Sequence, residues 1–210
     1  MPQLKVCGIT DATFAAEAAE RGVDYLGLIF ACGSPRLVTE ERARQIVSTA
    51  SSVPRTTGLR PKFVGVFVGQ STDEIIRTAR SVPLDVVQLH GGYGADDVAA
   101  LKAKGLEVWR LAEGDAASDF AGEDATLLDG RDGNRRGGTG KTSDWSLVPE
   151  IRRYGRRVVL AGGISSSNIA AAIATGADII DVNSSIETAP GNKSLELLLD
   201  LLAAAKAAQA

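Results

Sequence analysis

Eight short apolar runs, separated by Ala/Glu/Arg-rich or polar stretches, constrain this chain more than any other feature. The runs are residues 4–7, 25–30, 62–68, 86–89, 107–111, 125–128, 157–160 and 178–182. Most are too short for helices, and they are β-branched or bounded by Gly or Asp, as strands are. The stretches between them carry helix punctuation. Residues 11–21 stop at Gly22, residues 39–50 open on Thr39 and two acids, and Ser71-Thr72-Asp73-Glu74 reads as a capping box. Further helices are expected over 95–104, 146–154, 167–175 and 194–208, whereas the polar piece 113–124 predicts only a vestigial helix after the fifth strand. Strand–helix alternation with aromatics at only 5% of residues predicts a parallel sheet of Val, Ile, Leu and Ala covered by helices. Eight such units in 210 residues predict one compact (β/α)8 TIM barrel over residues 1–210. The rival open doubly wound sheet uses fewer strands and a Gly-rich first turn, and Cys7-Gly8-Ile9-Thr10 has no GxGxxG.

Several function classes fall away on charge and patterning. A formal net charge of −3 gives no basic excess for a nucleic-acid backbone. No apolar run is long enough to span a membrane, and Met1-Pro2-Gln3-Leu4-Lys5 lacks the charged and apolar regions of a secretory signal. Two cysteines make no disulfide framework, so a reduced, cytoplasmic setting is expected. The single His, His90, has no clustered ligands around it, so no metal site is expected. A small molecule is the expected partner, and the chain is expected to act as a monomer or homodimer.

A parallel barrel gathers the C-terminal ends of its strands at one rim, where active sites are built. Cys7 ends the first strand, where it is either an inert buried thiol or a base whose surroundings favour the thiolate. Asp129 ends the apolar Thr126-Leu127-Leu128 run. It either caps the following loop or, partly desolvated, holds a proton to donate. Asp132 competes for that role, but lies in a Gly-rich loop. Arg36, after Pro35, is either a surface charge or a planar cation for a carboxylate. His90 reads as a hydrogen-bonded structural residue. Gly162-Gly163 after strand seven and Ser184-Ser185 after strand eight, in adjacent loops, favour phosphate binding over simple turns and caps.

Gly137-Gly138-Thr139-Gly140-Lys141-Thr142 invites a nucleotide-binding reading and fails it on spacing. A P-loop needs Gly where Arg135 stands, and the segment leads into Asp144-Trp145 rather than directly into a long helix. A loop near the site, with Lys141 exposed or near an anion, is the better expectation.

Together these pieces resemble one family. Lys5-Val6-Cys7-Gly8-Ile9-Thr10 is similar to the opening motif of phosphoribosylanthranilate isomerases. Gly27-Leu28-Ile29-Phe30, Ser34-Pro35-Arg36, Val64 to Val68, Val87-Gln88-Leu89-His90-Gly91, Leu127-Leu128-Asp129, Gly137 to Thr142, Ala161-Gly162-Gly163-Ile164 and Asp181 through Glu187 follow in the family's order. Departures are Ser143 in place of an aromatic, Ala31-Cys32-Gly33 in place of a proline-containing stretch, and Asn183 in place of Ser. The resemblance implies a cofactor-free and metal-free barrel of tryptophan biosynthesis. Its reaction is the Amadori rearrangement of N-(5-phosphoribosyl)anthranilate to a 1-deoxyribulose 5-phosphate. The resemblance further implies Cys7 as general base, Asp129 as general acid and Arg36 as partner of the anthranilate carboxylate. Asp181 would lie near the substrate nitrogen, and Gly162, Gly163, Ser184 and Ser185 would hold the phosphate. A histidine-pathway Amadori enzyme, with an Asp as first-strand base, is the nearest rival, and Cys7 argues against it. A barrel that only binds phosphorylated metabolites is the other.

Overall fold

The computed structural model describes residues 2–54, 59–113, 119–132, 135–136 and 144–208. Eight parallel strands close into a barrel: β1 (Gln3–Val6), β2 (Tyr25–Ile29), β3 (Lys62–Phe67), β4 (Val86–Leu89), β5 (Glu107–Leu111), β6 (Ala125–Leu128), β7 (Val158–Leu160) and β8 (Ile179–Val182). The ring closes where β1 pairs with β8, setting Lys5 opposite Asp181 and Val6 opposite Val182. Helices α1 (Ala12–Glu20), α2 (Glu40–Ser51), α3 (Thr72–Ser81), α4 (Ala95–Lys102), α5 (Leu147–Arg153), α6 (Ile169–Ala174) and α7 (Leu195–Ala207) follow individual strands. The expected (β/α)8 architecture is therefore the observed one.

Local chemistry explains where the helices begin. The Asp11 carboxylate accepts from the Phe14 N–H, the Thr39 hydroxyl from Arg42, and the Ser194 hydroxyl from Leu197. Ser71 and Glu74 form the reciprocal capping box that opens α3. Each such cap contributes about 1 kcal/mol.

Side chains alternate across each strand, so the closed sheet separates two apolar layers. Tyr25, Val64, Val86, Trp109, Leu127 and Ile179 belong to one buried cluster that fills the barrel interior. Trp109 packs edge-on to Tyr25 with ring centroids 4.9 Å apart, and its indole N–H donates to Glu107. A second, larger cluster lies between sheet and helices and includes Val6, Leu26, Leu28, Ile46, Leu101 and Leu198. Truncating a fully buried leucine of either layer to alanine costs about 2–5 kcal/mol.

Among the described residues no helix stands between β5 and β6. A polar clamp holds that connection instead. Arg110, buried on the helix-facing side of β5, places Nη2 2.8 Å from Asp119 and Nε 3.5 Å from Glu123. Two short hairpins were not expected from sequence. One pairs Arg131–Asp132 with Arg135–Arg136, so Asp132, the alternative acid, lies in a two-residue strand. The other pairs Glu187–Ala189 with Asn192–Lys193 directly after β8. The Gly137 to Thr142 motif, with Lys141 and Ser143, lies outside the described residues.

Candidate active site

Three strands supply the ionisable centre at the C-terminal mouth. Lys5 and Cys7 are two residues apart at the end of β1, so both point inward. Asp181 comes from β8, and Asp129 follows β6. The Lys5 ammonium is wholly buried and lies 2.5 Å from Asp181 Oδ2. Cys7 is also buried, against Ile29, Ala31 and Val66, which give the mouth an apolar wall. Gly27 makes room for it, since a Cβ there would stand 2.8 Å from the Cys7 sulfur. Cys7 and Cys32 are both free thiols, the first buried and the second exposed.

Burial sets the ionisation of this centre. Removal from water pushes the Cys7 thiol above its usual range, while Lys5 pulls it back down by charge and hydrogen bonding. Burial pushes Asp129 up to about 6, and the nearby Asp181 charge adds to the rise. The Gly130 N–H, 2.7 Å from Asp129 Oδ1, and the Lys5 charge act in the opposite direction. Burial also raises Asp181, against the pull of Lys5. Lys5 itself keeps its proton firmly. Burial opposes the charge, but Asp181 and Cys7 outweigh it. Cys7 and Asp129 thus share the same two charged neighbours, Lys5 and Asp181. His90 adds a third neighbour to Asp129, with Nε2 3.6 Å from Oδ2.

The second part of the site is a buried ionic cluster. Arg36 Nε and Nη2 grip Glu187 at 2.9 and 2.6 Å. Glu187 also receives Lys193 Nζ at 2.8 Å, and Lys193 reaches back to the Asn183 carbonyl and side chain at 2.9 and 2.8 Å. Hydrogen bonding to Glu187 raises Arg36 further, and the Cys7 charge acts on it too. Burial would raise Glu187, but its bonds to Arg36 and Lys193 prevail and hold it low. The fork expected to meet a ligand carboxylate is thus occupied by Glu187.

The third part lies where β7 and β8 adjoin. Gly162 has φ +90°, and a Cβ there would come within 2.9 Å of the Gly130 Cα and 3.1 Å of Asp129 Oδ1. That glycine lets the end of β7 close on the Asp129 loop. Asn168 ties the following turn, accepting from the Ser165 N–H at 2.8 Å and donating to the Gly163 carbonyl at 2.9 Å. Ser184 and Ser185 lie in a 3-10 turn, Ser184–Ile186, and the buried Ser185 Oγ has no hydrogen-bond partner among the described residues.

The structure therefore brings Cys7, Asp129, Asp181, Arg36, Gly162, Gly163, Ser184 and Ser185 to one mouth. Sequence reasoning missed Lys5, Lys193 and the role of Glu187. The available signal was a lysine at the parity of Cys7 inside an apolar strand. Among the described residues, no group of three or more His, Cys, Asp or Glu could hold a metal ion. None of the described helices is long and apolar enough to cross a membrane.

The chain is similar to known proteins along nearly its whole length. The family model described as N-(5'phosphoribosyl)anthranilate (PRA) isomerase matches residues 4–204. An N-(5'-phosphoribosyl)anthranilate isomerase of Rubrobacter xylanophilus is 38% identical over 98% of this chain and 100% of its own length. The tryptophan biosynthesis protein TrpCF of Haemophilus influenzae is also 38% identical, over 91% of this chain, which spans only 40% of that longer protein. The crystal structure of the phosphoribosyl anthranilate isomerase of Thermus thermophilus superposes with a TM-score of 0.85 at 31% identity, covering 98% of both chains. With the barrel and the matched length in agreement, the chain belongs to the N-(5'-phosphoribosyl)anthranilate isomerase family.

Proposed function

We propose that Cys7 and Asp129 are the base and the acid of the reaction this isomerase catalyses in tryptophan biosynthesis. That reaction is the Amadori rearrangement of N-(5-phosphoribosyl)anthranilate to 1-(2-carboxyphenylamino)-1-deoxyribulose 5-phosphate. The observation that carries the assignment is the shared neighbourhood of the two groups. Lys5 and Asp181 act on both the thiol and the Asp129 carboxyl.

The chemistry follows from these groups. Protonated Asp129 delivers its proton to the furanose oxygen, and the ring opens to an iminium at C1′. The iminium acidifies the C2′ proton. A Cys7 thiolate removes it, giving an enolamine that tautomerises to the ketone. Each acid or base contributes about 10²–10⁴-fold. Arg36 takes the anthranilate carboxylate. The Asp181 oxygen left without a partner among the described residues accepts from the substrate nitrogen. Gly162, Gly163, Ser184 and Ser185 hold the phosphate, with the Ser185 hydroxyl as an available donor. Gripping both ends fixes the reacting carbons between base and acid.

Proton transfer of this kind needs neither cofactor nor metal. Residues 1–210 act as one catalytic domain. It acts in the cytoplasm as a monomer or homodimer on a small phosphorylated molecule, without nucleic acid or membrane as partner. The test is loss of the aminobenzoate fluorescence of the substrate with purified protein. Turnover that falls away in Cys7→Ser and Asp129→Asn supports the roles. Undetectable turnover in the parent with tight product binding would instead favour a metabolite-binding barrel.

A further inference from the structure

We propose that Lys5 is a positioning residue for this reaction: clamped by Asp181, its ammonium supplies the charge that lets Cys7 exist as a thiolate inside the barrel. The proposal rests on the reading of Cys7 as base.

The geometry is specific. Lys5 on β1 and Cys7, one residue past its end, are two residues apart, and Asp181 lies directly opposite Lys5 in the β1–β8 register. Lys5 has 0% exposure, and its ammonium is 2.5 Å from Asp181. A buried pair of this kind adds little net stability, because desolvation offsets its attraction. Its consequence is therefore electrostatic, and the nearest ionisable group along the chain is the Cys7 thiol, two residues on.

The charges facing Cys7 come from every side of the mouth. They are Lys5 from β1, Asp181 from β8, Lys193 from the hairpin after β8, and Arg36 from the loop after β2. Ile29, Ala31 and Val66 fill the remaining space with apolar surface. Arg36 and Lys193 share one carboxylate, Glu187. Lys5 is distinguished among the cations because it is wholly buried two residues from the thiol and exerts the strongest pull on it. Asp181 tethers it there and opposes ionisation of the thiol by its own charge. Removing either partner should therefore move Cys7 in opposite directions.

The experiment titrates Cys7 directly by nuclear magnetic resonance. Carbon-labelled cysteine is used in a Cys32→Ser background, so that Cys7 is the remaining thiol. Lys5→Met should raise the midpoint, leaving at least about tenfold less thiolate at any pH below it. Asp181→Asn should lower the midpoint, and Lys5→Arg should stay near the parent. Loosened packing would instead shift every variant the same way, towards a solvated thiol. An unchanged or lowered midpoint in Lys5→Met overturns the proposal. If that variant does not fold, an unchanged or raised midpoint in Asp181→Asn overturns it. No substrate is present in the titration, so its failure leaves the base assignment standing. That assignment fails separately if Cys7→Ser retains turnover.

Discussion

Gly8→Ala should damage the carboxylate end of the site more than it damages the fold. Gly8 has φ +73°, and an added Cβ would stand 2.6 Å from Arg36 Cδ and 2.8 Å from Asn183 Oδ1. Restoring an ordinary separation of about 3.5–4.0 Å requires Arg36 to retreat by roughly 1 Å. It has little freedom to do so, because Glu187 grips its head through Nε and Nη2. A misplacement of about 1 Å costs up to ~10²-fold, so kcat/KM should fall by roughly 10–100-fold, mainly through KM. The left-handed backbone adds a stability cost of about 1–2 kcal/mol. Gly22→Ala separates the two effects. Gly22 has φ +90°, and an added Cβ there meets nothing within 4 Å. It should show a similar shift in urea denaturation with unchanged kinetics. The fluorescence assay on both variants decides. A Gly8→Ala enzyme with KM within about twofold of the parent would refute the argument. Equal activity losses in the two variants would refute it as well.

Other expectations follow from the same geometry. Asp129 is raised from 3.8 to about 6, so the folded protein holds this proton more tightly than the unfolded chain. Its ionisation therefore costs stability as pH rises from about 4 through about 6, reaching about 3 kcal/mol above that window. Asp129→Asn should stabilise the fold above pH 6 by up to that amount, with the gain gone below about pH 4. Equal denaturation midpoints for variant and parent at high pH would contradict this. Glu187→Gln leaves Arg36 and Lys193 without their shared charge, so KM should rise about tenfold or more with kcat little changed. A loss confined to kcat would place the contact elsewhere. Gly27→Ala puts a Cβ 2.8 Å from the Cys7 sulfur, so it should lower kcat rather than raise KM.

The barrel was legible because its signals are local. Strands β4, β5 and β6 have the expected bounds, and the caps at Asp11, Thr39, Ser71 and Ser194 lie within three residues of the N–H groups they serve. Strand β1 ends at Val6, one residue before Cys7, where Gly8 turns the chain. Helix α6 starts at Ile169 rather than Ser167, since Asn168 spends its side chain on the Ser165 and Gly163 backbone. The rim positions of Cys7 and Asp129 were readable from strand ends alone. The ion pairs behind them were not. Lys5 and Asp181 are 176 residues apart, and Arg36 and Glu187 are 151 apart. Such contacts exist only once β8 closes on β1, and no local pattern encodes that closure. The Arg110 clamp lies within the β5–β6 connection, 9 and 13 residues from Asp119 and Glu123, where the polar composition of 113–124 predicted only a vestigial helix.

Catalysis through proton traffic between one sulfur and one carboxyl is tested most directly by the kinetics of the two single variants. Cys7→Ser and Asp129→Asn should each lower kcat by about 10²–10⁴-fold while affinity for the product is retained. A kcat close to the parent's in either variant, with that residue gone, would contradict the mechanism.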